Sequence, residues 1–257
     1  MSSKKYFFFT LFLALTVTTF CLTACDSAPD SHSQAQVEVN TSNRQPTSNE
    51  SAISDPANNP VKELPKSPPS HSYPSCINSD PNHICIGIKM VSYQDNAGVP
   101  VITEADTLKL VDQMNQLWSQ CNIAYQLEVY RTVNPRALNL TYSPDWETES
   151  NYVREKFNDD SRFLVVAVGP WNVATIAVTM MPESGIYGTI VDKQYSHNPL
   201  TVGHELGHYQ GLYHVEDTNN LMSAYIGSDT KGLTTSQCTV ARNADQASWP
   251  MMMRMPN

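Results

Sequence analysis

Three histidines and a glutamate near the C-terminal end of the chain have a spacing that can assemble a metal site. The stretch TVGHELGHYQGLYHVEDTNNLMSAY covers residues 201–225 and contains the pattern H-E-x-x-H-x-x-G-x-x-H. On a helix, His204 and His208 would project from one face about one turn apart. Gly211 can take a positive φ, end that helix and turn the chain. His214 can then arrive from a loop as a third ligand.

The same pattern contains the groups that hydrolysis needs. Three imidazole nitrogens can bind zinc at about 2 Å and leave the fourth tetrahedral position open, which is typical of catalytic zinc sites. Glu205 follows the first ligand and can act as general base toward a water molecule there. The alternative is a helix with incidental histidines. Residue frequencies of a few per cent make that coincidence an event of about one chain in 10⁵, so we predict zinc binding.

The segment resembles the metzincin metalloproteases, whose long zinc motif is followed by a turn with a methionine beneath the metal. Met222, in the sequence NNLMS, matches that methionine. The spacing from His214 to Met222 is like that of the matrixin branch, and GLYH at 211–214 is similar to pappalysin-like enzymes. The resemblance covers 201–223 strongly and the order of elements over 84–200 fairly, and the subfamily stays open.

The resemblance implies an α/β (α+β) fold, with a mixed five-stranded sheet, an active-site helix and a backing helix. It implies an antiparallel edge strand, for which residues 173–181 are the candidate, and a protein or peptide substrate that pairs with this edge. The implied activity is that of a zinc-dependent endopeptidase with a zinc-activated water and Glu205 as general base. Structural Ca²⁺ stays open. The alternative is a catalytically silent or latent zinc-binding adhesin or binding lipoprotein, against which the intact Glu205 argues.

Hydrophobic patterns before the histidine segment predict the elements that would position it. Strands are predicted at 84–93, 123–133 and 161–169, followed by a strand pair at 173–181 and 186–195. Thr103 is the predicted N-cap of the helix ADTLKLVDQMNQLWSQC, with Asp106 three residues later in a variant of the capping box. Strands that are interspersed with helices favour a mixed sheet with helices packed on it.

The N-terminal residues have the anatomy of an export signal. Lys4 and Lys5 precede an apolar run from Tyr6 to Phe20, which is short for a membrane span. The ending LTAC resembles the bacterial lipobox, which implies cleavage before Cys25, a lipid on that cysteine and anchoring in the bacterial cell envelope. Asp26 implies the periplasmic face of the inner membrane by the enterobacterial rule, and the outer membrane stays open. A plain secretory signal or an uncleaved anchor is the alternative.

Composition divides the rest of the chain into two parts. Residues 26–75 are rich in Ser, Pro, Asn and Asp, so they cannot bury enough apolar surface to offset the entropy of ordering. We therefore predict a lipoprotein signal peptide at 1–25, a disordered tether at 26–75 and one metzincin-like domain at 76–257. A structured propeptide is the alternative for the tether.

Charge restricts the partners of the chain. The formal net charge is −9 at pH 7, and it becomes −11 when Lys4 and Lys5 leave with the signal. Nucleic acids and anionic lipid surfaces bind clustered Lys and Arg, so we expect neither as a partner. The expected contact with the membrane is through the lipid anchor alone. We expect a monomer.

Four cysteines remain in the predicted domain: Cys76, Cys85, Cys121 and Cys238. An even number in an exported protein favours two disulfides, and three connectivities are open. Pro74-Ser75-Cys76 followed by Asp80 resembles the matrixin cysteine switch, in which a prodomain thiolate occupies the open zinc position. Pairing of Cys76 in a disulfide is the favoured alternative, because export oxidises paired cysteines.

Overall fold

A computed structural model of the chain describes residues 34–38, 73–182, 185, 187–227, 230 and 232–255, with the backbone alone described at 34–38. The predicted signal peptide, the predicted lipidation site Cys25 and most of the predicted tether lie outside these residues. None of the described helices is long and apolar enough to cross a membrane.

Seven strands of the described residues form one mixed sheet. They are β1 (Gln34–Glu38), β2 (Ile84–Tyr93), β3 (Ile123–Val133), β4 (Phe163–Val168), β5 (Thr175–Met180), β6 (Thr189–Asp192) and β7 (Met253–Arg254). The order is β1-β5-β6-β4-β2-β3, with β7 paired to β2. From β3 through β2 and β4 to β6 the pairing is parallel, whereas β5 runs antiparallel to both β6 and β1. The predicted five strands are confirmed, and β1 and β7 add to them. The prediction that residues 173–181 form the edge of the sheet is wrong for the described residues, because β1 pairs with the outer side of β5.

Four helices occur in the described residues: α1 (Glu104–Trp118), α2 (Ser150–Phe157), α3 (Pro199–Tyr209) and α4 (Thr235–Ser248). The predicted N-cap of α1 is confirmed, because Thr103 Oγ1 accepts the N–H of Asp106 at 3.1 Å. The first helix backs α3, since the buried indole of Trp118 donates its N–H to the Gly203 carbonyl at 3.2 Å. The mixed α/β class and the pairing of an active-site helix with a backing helix are therefore confirmed.

Burial along the strands shows where the core lies. Every residue of β4, β5 and β6 is buried, as expected for strands that are covered on both faces. By contrast, β3 alternates between buried and half-buried positions over its first five residues, as expected for a strand near a sheet edge. The buried part of the sheet thus consists of β4, β5 and β6, and α3 packs against β5.

Two disulfides are present among the described residues, one between nearby positions and one between distant positions of the chain. One links Cys76 to Cys85 in β2, and the other links Cys121 to Cys238 in α4. These pairings select one of the three open connectivities. They also show that the cysteine-switch hypothesis is wrong, because the Cys76 sulfur is bonded to another sulfur and is no free thiol.

Candidate metal centre

The helix that holds the first two histidines has clear local signals at both ends. The side chain of Asn198 caps the first turn by accepting a backbone N–H, and Pro199 occupies the first helical position. At the other end Gly211 has φ +74°, and the N–H of Leu212 donates to the Gly207 carbonyl at 2.9 Å. This is the glycine turn that the motif predicts, and it brings the following residues back toward the helix.

The three histidines converge on one point. His204 Nε2 lies 2.9 Å from His208 Nε2 and 3.2 Å from His214 Nε2. All three ligand atoms lie within 4.8 Å of one another. A tetrahedral zinc ion with bonds of about 2.0–2.1 Å holds its nitrogen ligands about 3.3 Å apart. The three-histidine group could therefore hold a single metal ion.

Main-chain carbonyls fix the proton on the correct nitrogen of two rings. Nδ1 of His204 lies 2.6 Å from the Leu221 carbonyl oxygen, and Nδ1 of His208 lies 2.7 Å from that of Leu212. A carbonyl only accepts hydrogen bonds, so each Nδ1 must carry the proton and each Nε2 keeps its lone pair. Two such lone pairs 2.9 Å apart repel each other, and a cation between them removes that repulsion. The residues therefore fit a metal.

Burial keeps the rings in the neutral form that binds metals. It lowers the pKa of His204 to about 3 and the pKa of His208 well below its ordinary value. Burial also lowers the pKa of His214, which reaches the group from the more exposed loop. At neutral pH a metal ion would not have to displace protons from these imidazoles.

The two oxygens of the Glu205 carboxylate differ in their hydrogen bonds. Its Oε2 accepts the hydroxyl proton of Thr179 at 2.5 Å, and Thr189 Oγ1 lies 2.7 Å from Thr179 Oγ1. Since Thr179 donates its only hydroxyl proton to the carboxylate, Thr189 must donate to Thr179. The buried Oε1 has no hydrogen-bond partner among the described residues. One carboxylate oxygen thus remains available for chemistry.

A buried cation stabilises the charged form of this carboxylate. The side chain of Arg154 is fully buried and donates to the carbonyls of Gly188 at 2.7 Å and Val178 at 3.0 Å. Burial raises the pKa of Glu205 to about 8, while the Thr179 hydrogen bond and the positive charge of Arg154 act in the opposite direction. A metal cation on the histidines would lower this pKa further.

The turn that contains Met222 packs directly against α3. Met222 is fully buried, and a Cβ built on Gly207 would lie 2.4 Å from its Sδ. The preceding residue, Leu221, provides the carbonyl that holds the His204 ring. Met222 N–H donates to Asn220 Oδ1 at 2.9 Å. The turn therefore packs against the face of α3 that bears Gly207, and it orients the His204 ring.

The hydrogen bonds that hold this turn against α4 were not predicted from the sequence. Asn220 and Gln237 form a double hydrogen bond, with the Asn220 amide donating at 2.9 Å and the Gln237 amide donating back at 3.0 Å. Gln237 also closes a capping box with Thr234 at the start of α4. The sequence TTSQ has the S/T-x-x-Q signature of such a box, so this signal could have revealed the helix.

A second buried network holds the end of α3. Tyr125 donates its hydroxyl proton to Gln210 Oε1 at 3.2 Å, and Gln210 Nε2 donates to Asp245 Oδ2 at 2.9 Å. Asp245 Oδ1 is buried and has no hydrogen-bond partner among the described residues. Burial raises the pKa of Asp245 well above its ordinary value, and the Gln210 hydrogen bond acts in the opposite direction. The network joins β3, α3 and α4.

Comparison with known proteins finds matches for this chain among solved structures. No family model matches it, and neither does any curated protein. A structure described as metalloproteinase-II from Bacteroides fragilis is 18% identical with a TM-score of 0.46, and the match covers 73% of this chain and 58% of that chain. A structure described as a chaperone–substrate complex is 12% identical with a TM-score of 0.43, and covers 66% and 35% respectively. This chain thus spans less than two thirds of the length of either.

Proposed function

We propose that this protein is a zinc-dependent endopeptidase of the metzincin type. The residues that hold the ion are His204, His208 and His214, and Glu205 is the general base. The observation on which the proposal rests is the convergence of three Nε2 atoms. Two of the three rings have their Nδ1 protons committed to main-chain carbonyls. Incidental histidines have no reason to share this arrangement.

The residues around the ion would have separate roles in hydrolysis. A zinc ion in this position supplies Lewis acidity and lowers the pKa of a bound water. Glu205 Oε1 would accept the proton of the attacking water and return it to the leaving amine. Because Thr179 occupies Oε2, the proton is directed to the other oxygen. The Leu221 carbonyl keeps the His204 imidazole in place.

The edge of the sheet supports a peptide as the substrate. The antiparallel strand β5 pairs with β6 on one side, and the row of main-chain N–H and C=O groups on its other side pairs with β1. A substrate would bind to this second side in place of β1. An extended polypeptide can add to such a row through main-chain hydrogen bonds. Thr179 belongs to β5 and contacts Glu205, so a peptide on this edge would pass close to the general base.

We also propose that the enzyme is exported and anchored in the bacterial cell envelope through a lipid on Cys25. Two disulfides support an oxidising compartment. The formal charge of −9 opposes nucleic acid as a partner. The proposed enzyme acts as a monomer.

The test is a paired measurement of zinc content and turnover. The parent chain, Glu205→Gln and the exposed control Glu216→Gln are loaded with zinc and incubated with a peptide library. We expect one zinc per chain in all three, cleavage by the parent and the control, and a loss of about 10²–10⁴-fold in Glu205→Gln. Zinc in all three with cleavage in none would contradict the proposal and favour the zinc-binding lipoprotein.

A further inference from the structure

The turn that contains Met222 is connected to two of the three histidines. The Leu221 carbonyl accepts the Nδ1 proton of His204 at 2.6 Å, and the Met222 carbonyl accepts the N–H of Val215, the residue after His214, at 2.9 Å. A shift of this turn would therefore move the His204 ring directly and His214 through its neighbour. The residues that hold the turn thus influence how well the ligands meet a metal ion.

Two glutamines from different helical segments hold this turn. Gln237, in the first turn of α4, exchanges two hydrogen bonds with the side chain of Asn220, at 2.9 and 3.0 Å. Gln120 Oε1 accepts the N–H of the residue that follows Gly232 at 3.1 Å, and the Gly232 carbonyl accepts the N–H of Leu221 at 2.7 Å. One glutamine therefore binds the residue before Leu221, and the other binds the segment to which Leu221 donates.

A disulfide joins the residues that directly follow these two glutamines. Cys121 follows Gln120 and Cys238 follows Gln237, and the two cysteines are bonded to each other across a sequence separation of 117. Both are buried in the core. The covalent bond keeps the two backbones within a narrow range of distances, so it also restricts where the two glutamines can lie relative to the turn.

We propose that Gln120 and Gln237 are positioning residues for the metal ligands, and that the Cys121–Cys238 disulfide holds these glutamines in register with the turn. This inference rests on the proposed function, because it concerns the affinity of the same site for zinc. Partners that orient a metal-binding histidine typically contribute about 10–100-fold to metal affinity. A purely structural role would lower the stability of the fold and leave the zinc affinity of folded protein unchanged.

Gln237 has two roles, which one substitution separates. Its Oε1 accepts the N–H of Thr234 at 2.8 Å in the capping box of α4, and its amide donates to Asn220 at 3.0 Å. Gln237→Glu keeps an oxygen for the capping box, and a negative charge in the first turn of a helix is favourable. It loses the N–H that binds Asn220. Gln246 is exposed on the same helix, so Gln246→Glu is the matched control for the added charge.

The first readout is zinc affinity, measured on the full chain by competition with a chromophoric chelator. We expect the zinc dissociation constant to rise about tenfold in Gln237→Glu and to stay unchanged in Gln246→Glu. Gln120 is exposed to water, which can replace its lost bond, so we expect a smaller rise of about threefold in Gln120→Ala. In an Asn220→Ala background Gln237→Glu should have no further effect, because both changes remove the same contact.

The second readout needs no metal. Amide exchange of Leu221 in zinc-free protein, followed by NMR, reports how firmly the Gly232 carbonyl holds its N–H. We expect this exchange to be about tenfold faster in Gln237→Glu than in the Gln246→Glu control.

The two disulfides test the covalent part of the proposal. Replacement of Cys121 and Cys238 by alanine should raise the zinc dissociation constant about tenfold. Replacement of Cys76 and Cys85 by alanine removes the disulfide that does not adjoin the glutamines, and it should leave zinc affinity unchanged. Both pairs are measured in sucrose, which favours the folded state, with circular dichroism as the check of folding.

Each result decides one of the claims. Zinc affinity and Leu221 exchange that are the same in Gln237→Glu and Gln246→Glu would overturn the role of Gln237. An undiminished effect of Gln237→Glu in the Asn220→Ala background would overturn its action through the turn. Equal zinc affinity in the two alanine pairs would overturn the role of the disulfide. A folded parent chain that takes up no zinc would overturn the proposed function, while Leu221 exchange would still decide whether Gln237 holds the turn.

Discussion

Two glycines one turn apart on α3 provide a matched test of how the Met222 turn packs. A Cβ on Gly207 would lie 2.4 Å from Met222 Sδ and 3.0 Å from its Cε. A Cβ on Gly203 would meet its nearest atom, Trp118 Nε1, at 3.5 Å. The first distance is impossible without a shift of the methionine, whereas the second is an ordinary contact. Alanine should therefore have opposite effects at the two positions.

The expected size of each effect follows from helix propensity and packing. Glycine to alanine inside a helix stabilises the fold by about 0.5–1 kcal/mol, and we expect this full gain for Gly203→Ala. At Gly207 the same gain is opposed by overpacking, which costs about 1–3 kcal/mol. The two variants should differ in free energy of unfolding by about that overpacking cost. Displacement of Met222 also shifts the Leu221 carbonyl that holds His204, so we expect Gly207→Ala to bind zinc less tightly.

Urea unfolding of the metal-free proteins measures the stability difference, and competition with a chromophoric chelator measures zinc affinity. A double-mutant cycle with Met222→Ala isolates the clash, because removal of the thioether should restore the gain at Gly207. Equal stabilisation by Gly203→Ala and Gly207→Ala would refute the packing of the turn against α3. So would the absence of coupling between Gly207→Ala and Met222→Ala.

Three further predictions follow from buried contacts. Thr179→Val removes the hydrogen bond to the Glu205 carboxylate, and a hydrogen bond to a charged group contributes about 1.5–3 kcal/mol. We expect kcat to fall about 10–100-fold in steady-state kinetics, with KM and zinc content nearly unchanged. Thr179→Ser keeps the hydroxyl and should restore kcat. Because the pKa of Asp245 is raised by burial, the folded chain keeps a proton that the unfolded chain releases above about pH 4. Stability therefore falls as pH rises above about 4, and Asp245→Asn should remove up to about 1.4 kcal/mol per pH unit of this slope, as measured by urea unfolding at a series of pH values from 4 upward. Loss of Cys121–Cys238 should cost about 5 kcal/mol and loss of Cys76–Cys85 about 3 kcal/mol, because their sequence separations are 117 and 9; unfolding of the alanine pairs measures both.

The elements with strong local signals could be predicted from the sequence. The bounds predicted for β2 and β3 agree with those observed, Ile84–Tyr93 and Ile123–Val133. The start of α1 follows from the side chain of Thr103. The geometry of the three histidines is also local, since a helical spacing of four and a glycine turn bring the ligands together. The positions of such ligands can therefore be predicted from a short stretch of sequence, without knowledge of the rest of the fold.

The supports of the candidate site could not be predicted because they come from distant segments. Thr179 and Arg154 reach Glu205 from a strand and a helix that precede α3, and no spacing relates them to it. The prediction of a disordered tether did not anticipate β1, whose pairing with β5 uses main-chain groups. The disulfide connectivity depends on the same tertiary arrangement, which brings Cys121 and Cys238 together across 117 residues.

The central claim is that three histidines hold a catalytic zinc ion. Elemental analysis combined with zinc X-ray absorption of the purified full chain tests it most directly. The account predicts one zinc per chain with three histidine nitrogens at about 2.0 Å and an oxygen ligand in the open position. Folded protein that takes up no zinc, or that holds it without histidine ligands, would contradict the account.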